Sequence, residues 1–200
     1  MTRIPRYLIF ARLIIGLFFL FIPFSSLRTE RTLMISLLIT GILTDIFDGI
    51  IARKLNVSDE KLRRMDSLAD QIFWICILVC TFFLHPYFFL SHKLMFTLLI
   101  GLEASTYAVS FLKFGKEVST HAILSKIWTL SMLAFFIELI ATGYSGPIFI
   151  TCFLLGLISR LEIILILLVL KEWTTDVPSL RQAIRLRQGK AMKRNKMFNG

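Results

Sequence analysis

Four aspartates carry the strongest chemical signal in this chain, and they stand in the stretch TDIFDGIIARKLNVSDEKLRRMDSLADQ. Asp45 and Asp48 are three residues apart, and Asp66 and Asp70 are four apart. On a helix either spacing puts the pair on one face. Four carboxylates that face one another repel, and ionised groups at membrane depth are costly. A divalent cation relieves both penalties. An all-oxygen donor set suits Mg²⁺ or Mn²⁺, and two such ions about 4 Å apart can bridge a diphosphate. No histidine or thiolate accompanies the cluster, so softer metals are disfavoured. A merely solvated helix end would explain one acidic pair, but it explains paired spacings on successive helices poorly. Gly49 and Ala52 are small enough to let a ligand or another helix approach the backbone. Arg53 can grip a phosphate with its guanidinium fork or pair with an aspartate. Helix packing for Gly49 and Ala52, and a topology-setting charge for Arg53, are the plainer alternatives.

The elements that must position these groups are membrane spans. Of 200 residues 56% are hydrophobic, 19 being Phe, and they fall in blocks rather than stripes. A span needs about 20 mostly apolar residues, and six blocks qualify, at about 7 to 24, 33 to 52, 68 to 90, 94 to 112, 122 to 142 and 147 to 170. Alternation suited to a β-barrel is absent, and lipid-exposed irregular backbone is excluded. The fold class expected is therefore all-α, a polytopic membrane protein with six transmembrane helices and short loops. The net charge of +10 fits anionic lipid headgroups better than nucleic acid, because the basic residues flank apolar blocks. The first block follows Arg3 and Arg6 as a signal peptide would, but the cleavage chemistry after Leu20 is weak and it is read as a retained helix. Cys76, Cys80 and Cys152 lie inside apolar segments without metal-ligand spacing and are expected to be small buried groups.

Charge sets the expected orientation. Arg3 and Arg6, then Arg53, Lys54, Lys61, Arg63 and Arg64, then Lys113 and Lys116, then eight basic residues from Lys171 onward all fall on one side of a six-span arrangement. Both termini are therefore expected in the cytoplasm, in an inner or plasma membrane. One domain is expected over 1–175, with a basic tail over 176–200. That tail can form an interfacial helix with Leu180, Ile184 and Leu186 toward lipid and Arg181, Arg185 and Arg187 toward phosphate. The acidic pairs end the second span and begin the third, so side-by-side packing of those two spans would gather them at the cytoplasmic boundary.

Asp45, Asp48, Gly49, Ala52, Arg53, Asp66 and Asp70 stand at the spacings of a known signature, and the chain resembles the CDP-alcohol phosphatidyltransferase family. The N-terminal IPRYLIFARL segment and the six spans extend the resemblance over most of the chain. It implies phosphatidyl transfer from CDP-diacylglycerol to a small alcohol or phosphorylated alcohol, with release of CMP. It also implies that Asp45, Asp48, Asp66 and Asp70 bind metal, that Asp70 acts as general base, and that Gly49, Ala52 and Arg53 lie at the nucleotide and its diphosphate. Homodimerisation is compatible with the family. One position departs from the signature: Leu62 stands where a glycine is usual, which implies a variant nucleotide pocket.

If the acceptor is glycerol 3-phosphate or inositol phosphate, Lys113, Lys116, His121 and Lys126 can form an anion pocket, and Arg160 can add a phosphate contact. Topology for the first two lysines, snorkelling for Lys126, a backbone bond for His121 and a buried carboxylate partner for Arg160 are the alternatives. Glu103, Glu138, His85 and His92 define no cluster by spacing. Other assignments are a CDP-amino-alcohol phosphotransferase with diacylglycerol as acceptor, a cation transporter, or a noncatalytic membrane protein. A transporter would spread its acidic groups through the membrane, whereas these gather at one boundary.

Overall fold

The computed structural model describes residues 4–55, 60–116, 118, 122–175 and 177–191. Among them the chain is all helical, with no strand. The α-helices are α1 (Ile4–Phe19), α2 (Arg31–Lys54), α3 (Glu60–Leu84), α4 (Pro86–Ser91), α5 (Lys93–Phe114), α6 (Ile123–Thr142), α7 (Pro147–Val169) and α8 (Leu180–Arg187). Six segments among the described residues are long and apolar enough to cross a membrane: Ile4–Phe24, Arg31–Ala52, Arg64–Leu84, Lys93–Phe114, Ile123–Thr142 and Pro147–Val169. Phe24, Tyr87, Leu94 and Leu112 point outward. Apolar side chains exposed on this scale are stable against lipid and costly against water.

The third span is shorter than expected. It stops at Leu84 rather than near residue 90, because Pro86 has no N–H to continue the helix and disfavours helical backbone at His85. Pro86 instead opens α4, a position where its missing donor costs nothing. Gly115 closes α5 in the left-handed conformation, φ +64°, and its N–H returns to the Phe111 carbonyl.

The helices form two compact units, Met1–Ser91 with Phe136–Tyr144 and His92–Phe135 with Ser145–Gly200. In the first, α1 lies along both α2 and α3, while α2 and α3 touch each other far less. The expected side-by-side packing of the second and third spans is thus replaced by packing through the first. The cause is visible in two glycines. Phe73 of α3 is fully buried, and it sits where side chains at Gly16 of α1 and Gly41 of α2 would be. A Cβ on Gly41 would fall 2.3 Å from Phe73 Cζ, and one on Gly16 would fall 3.0 Å from Phe73 Cα. The end of α6 joins this unit, with Phe136 stacked on Trp74 at 5.9 Å.

In the second unit α7 packs on α5 and carries α8. Ile163, Ile166, Leu167 and Leu170 form a buried cluster with Ala122, Val177 and Ala183. Leu180 and Leu186 rest partly buried against that cluster, whereas Ile184 is exposed. Glu162 accepts a hydrogen bond from the Leu180 backbone N–H at 3.3 Å, which caps the start of α8.

Candidate metal and catalytic site

The same helical faces that pack around Phe73 carry the acidic groups. On α3, Asp66, Asp70 and Phe73 follow at intervals of four and three residues; on α2, Gly41, Asp45 and Asp48 do the same. Each set therefore lies along one stripe. Close packing at Gly41 and Phe73 brings the two stripes together, and the carboxylates meet beyond it. One oxygen from each of Asp45, Asp48 and Asp66 lies within 4.8 Å of the others. Asp70 joins them through a shared partner.

That partner is Arg12 of α1, one turn before Gly16. Its Nη1 donates to Asp45 Oδ1 at 3.0 Å and also contacts Asp70 Oδ1. Its Nη2 donates to Asp66 Oδ1 at 2.9 Å and to Asp48 Oδ2. Arg12 is fully buried, the Asp48 side chain is 3% exposed, and Asp70 is the most open of the four at 37%. Arg12 is not among the candidates named from the sequence, although its signal is present there: an arginine inside an apolar span must find a carboxylate, an anion or water.

Charge decides what else the cluster can hold. At 4 Å and an effective dielectric of 20, a unit pair is worth about 4 kcal/mol. Four ionised carboxylates make six repulsive pairs, and one guanidinium supplies only four attractions. Those attractions act at 3.0 Å or less and the repulsions over as much as 4.8 Å, so Arg12 offsets much of the repulsion, but four carboxylates and one guanidinium leave a net charge of −3 that a bound cation or a proton reduces. The donors are all carboxylate oxygens, the set that suits Mg²⁺ or Mn²⁺. The residues fit such an ion.

Around this site Ala52 is buried with Ile9, Leu62 and Ala69. Leu62, the departure from the signature, thus points inward and fills space beside Ala52. Gly49 is partly buried on α2. The side chains of Arg53, Lys61 and Arg63, together with Arg3, His121 and the basic residues beyond Ala191, lie outside the described residues.

The other basic groups belong to the second unit. Lys113 Nζ donates to the Leu167 and Leu168 carbonyls at 2.9 and 2.6 Å, at the C-terminal end of α7. Lys116 Nζ lies 4.4 Å above the Trp173 ring, and Lys126 is exposed. Arg160 Nη1 is 2.9 Å from Glu103 Oε2, and its guanidinium lies 4.5 Å above Trp128. This ion pair on α5 and α7 answers the question of how an arginine survives in that span.

Searches of curated proteins and of solved structures gave no match. A family model described as CDP-alcohol phosphatidyltransferase matches residues 2–168, which takes in α1 with Arg12, both acidic pairs and all six spans but for the end of α7. With a match over that much of its length, and with the acidic cluster assembled as described, the chain belongs to the CDP-alcohol phosphatidyltransferase family.

Proposed function

We propose that this protein transfers the phosphatidyl group of CDP-diacylglycerol to an alcohol, releasing CMP, at the cytoplasmic face of the membrane. The observation that carries the proposal is the convergence of Asp45, Asp48, Asp66 and Asp70 on one point in a chain of this family. Asp45, Asp48 and Asp66 would hold a divalent ion, with Asp70 at its edge. Such an ion, Mg²⁺ or Mn²⁺, would neutralise charge on the diphosphate.

Asp70 is the carboxylate most open to an incoming substrate. It takes the proton of the acceptor hydroxyl as that oxygen bonds to the lipid-bearing phosphorus, and the phosphorus–oxygen bond to CMP breaks. General-base help of this kind contributes about 10² to 10⁴ in rate. Gly49 and Ala52 of α2 are assigned to the nucleotide, and Arg53 to its diphosphate. Leu62 narrows the space beside Ala52. For the acceptor we favour a phosphorylated alcohol, glycerol 3-phosphate or inositol phosphate. The concentration of basic residues on one side of the spans supports cytoplasmic termini.

The test is CMP release by purified protein in liposomes, with CDP-diacylglycerol, Mg²⁺ or Mn²⁺ and a panel of glycerol 3-phosphate, inositol 1-phosphate, inositol, serine and choline. Metal-dependent release with one acceptor is expected. Release only from a CDP-amino-alcohol in the presence of diacylglycerol would reverse the roles of donor and acceptor, and no release by folded protein would leave a noncatalytic role.

A further inference from the structure

Arg12 has no part in the reaction as written, yet it is the only residue described that touches all four aspartates. Its guanidinium keeps its charge under all ordinary conditions. The planar fork lets each terminal nitrogen serve two carboxylates, which a lysine ammonium on its single point cannot reproduce. Its Nε is buried and has no hydrogen-bond partner among the described residues. Among the described residues the guanidinium's polar partners are thus the four carboxylates, at the cost of one unsatisfied donor.

Three of the oxygens it engages belong to the aspartates whose ligand atoms lie within 4.8 Å of one another. A guanidinium and a divalent cation at this point draw on the same donors and repel each other. We propose that Arg12 is a positioning residue acting as a built-in counter-cation: it gathers the four carboxylates and yields oxygens to a divalent cation as that cation binds, so that it holds the metal affinity down. This inference rests on the metal-dependent function proposed above.

Two effects of opposite sign follow from removing Arg12. Loss of its positive charge makes the site more negative and tightens metal binding; loss of its bridging loosens the site and weakens it. The packing of Gly16 and Gly41 on Phe73 fixes the helices independently of Arg12, so the charge effect wins.

The experiment is a titration of the full chain in detergent with Mn²⁺, read from the loss of the free-ion electron paramagnetic resonance signal, for wild type, Arg12→Gln and Asp66→Asn. Arg12→Gln is purified in Mg²⁺, which replaces the missing charge, and then stripped. Its Mn²⁺ affinity is expected to exceed that of wild type by about tenfold or more, within the range usual for coupled sites. Its thermal midpoint should also rise more on Mn²⁺ addition than that of wild type. Equal or weaker binding by Arg12→Gln, beside wild-type protein that binds Mn²⁺ and releases CMP, would overturn this inference alone. Absence of Mn²⁺ binding by wild type would overturn the metal-dependent function and the inference with it. Should Arg12→Gln fail to accumulate, the wild-type arginine side-chain nitrogens are followed by nuclear magnetic resonance. The Arg12 guanidinium, told from the buried Arg160 by the signals that persist in the Arg160→Met and Glu103→Met double variant, must then shift with the Mg²⁺ binding midpoint, and its indifference to saturating Mg²⁺ would refute the proposal.

Discussion

Replacing Gly41 with alanine should impair the reaction more than it impairs folding. The added Cβ would lie 2.3 and 2.4 Å from Phe73 Cζ and Cε2, about 1 Å short of the 3.4 Å at which ordinary contact begins. Phe73 is fully buried and its backbone already abuts Gly16, so the ring has little freedom to retreat. Overpacking of this kind costs about 1 to 3 kcal/mol. Alanine returns up to about 1 kcal/mol through its better helix propensity. The net loss, roughly 0 to 3 kcal/mol, corresponds to a fall of up to several degrees in thermal midpoint at about 2 to 4 °C per kcal/mol for a chain this long. Asp45 and Asp48 lie one and two turns along the same stripe of α2, so relief of the overlap moves them relative to Asp66 and Asp70. A displacement of about 1 Å can cost on the order of 10²-fold in rate. CMP release by Gly41→Ala in liposomes should fall by about that factor while the protein stays folded. Combining it with Phe73→Leu removes the ring atoms that collide and should restore part of the rate, a coupling that a double-mutant cycle measures. Turnover of folded Gly41→Ala within twofold of wild type would refute the claim that this packing sets the carboxylate geometry.

Asp70→Asn should release CMP at least about 10²-fold more slowly than wild type, with a thermal midpoint showing that the protein remains folded; near-normal turnover would remove Asp70 as the base. Chelation by EDTA should abolish CMP release and Mg²⁺ or Mn²⁺ should restore it, a result checked by titrating the metal back. Arg160→Met should destabilise the protein because Glu103 loses the Arg160 charge, by less than the about 3 to 5 kcal/mol of a fully buried pair since Glu103 is partly exposed, and the double variant with Glu103→Met should be less damaged than the single one; denaturation midpoints test the order. Burial, and then the nearby Arg31 charge, hold His85 below its ordinary pKa of 6.5. The folded state thus prefers the neutral ring and the unfolded chain takes up the proton first, so stability should fall as pH drops below about 6.5, and His85→Asn should flatten that part of a midpoint-against-pH curve.

The six spans were legible because length and apolarity are local properties. Their partners were not. Hydropathy says nothing about which faces touch, and the expectation that the second and third spans pair directly missed the place of α1 along both. The end of the third span was overrun although Pro86 stood in the sequence, because apolar residues continue past it in Tyr87 to Leu90 and a composition window weighs them above the missing donor. The tail shows a similar limit. Spacing placed Leu180, Ile184 and Leu186 on one apolar side, but only the structure shows that Leu180 and Leu186 meet the cluster on α7 while Ile184 stays exposed.

The acidic pairs were readable for a deeper reason than their match to a signature. Charge in an apolar span is expensive enough that it must be compensated, and that requirement points from each aspartate to a cation. Applied to α1, the same requirement points from Arg12 back to the aspartates, since Arg12 is two turns into that helix and flanked by Ala11 and Leu13. The glycines complete the logic. Arg12 precedes Gly16 by one turn and Asp45 follows Gly41 by one turn, while Asp70 precedes Phe73 by three residues. Each helix thus carries a packing residue and a charged residue on one stripe. Close approach at the first enforces meeting of charges at the second, and the energy gained by packing offsets the repulsion among the carboxylates. A helix held at a greater distance by larger residues at positions 16 and 41 would leave those charges apart, so the small residues belong to the chemistry of the site as much as the aspartates do.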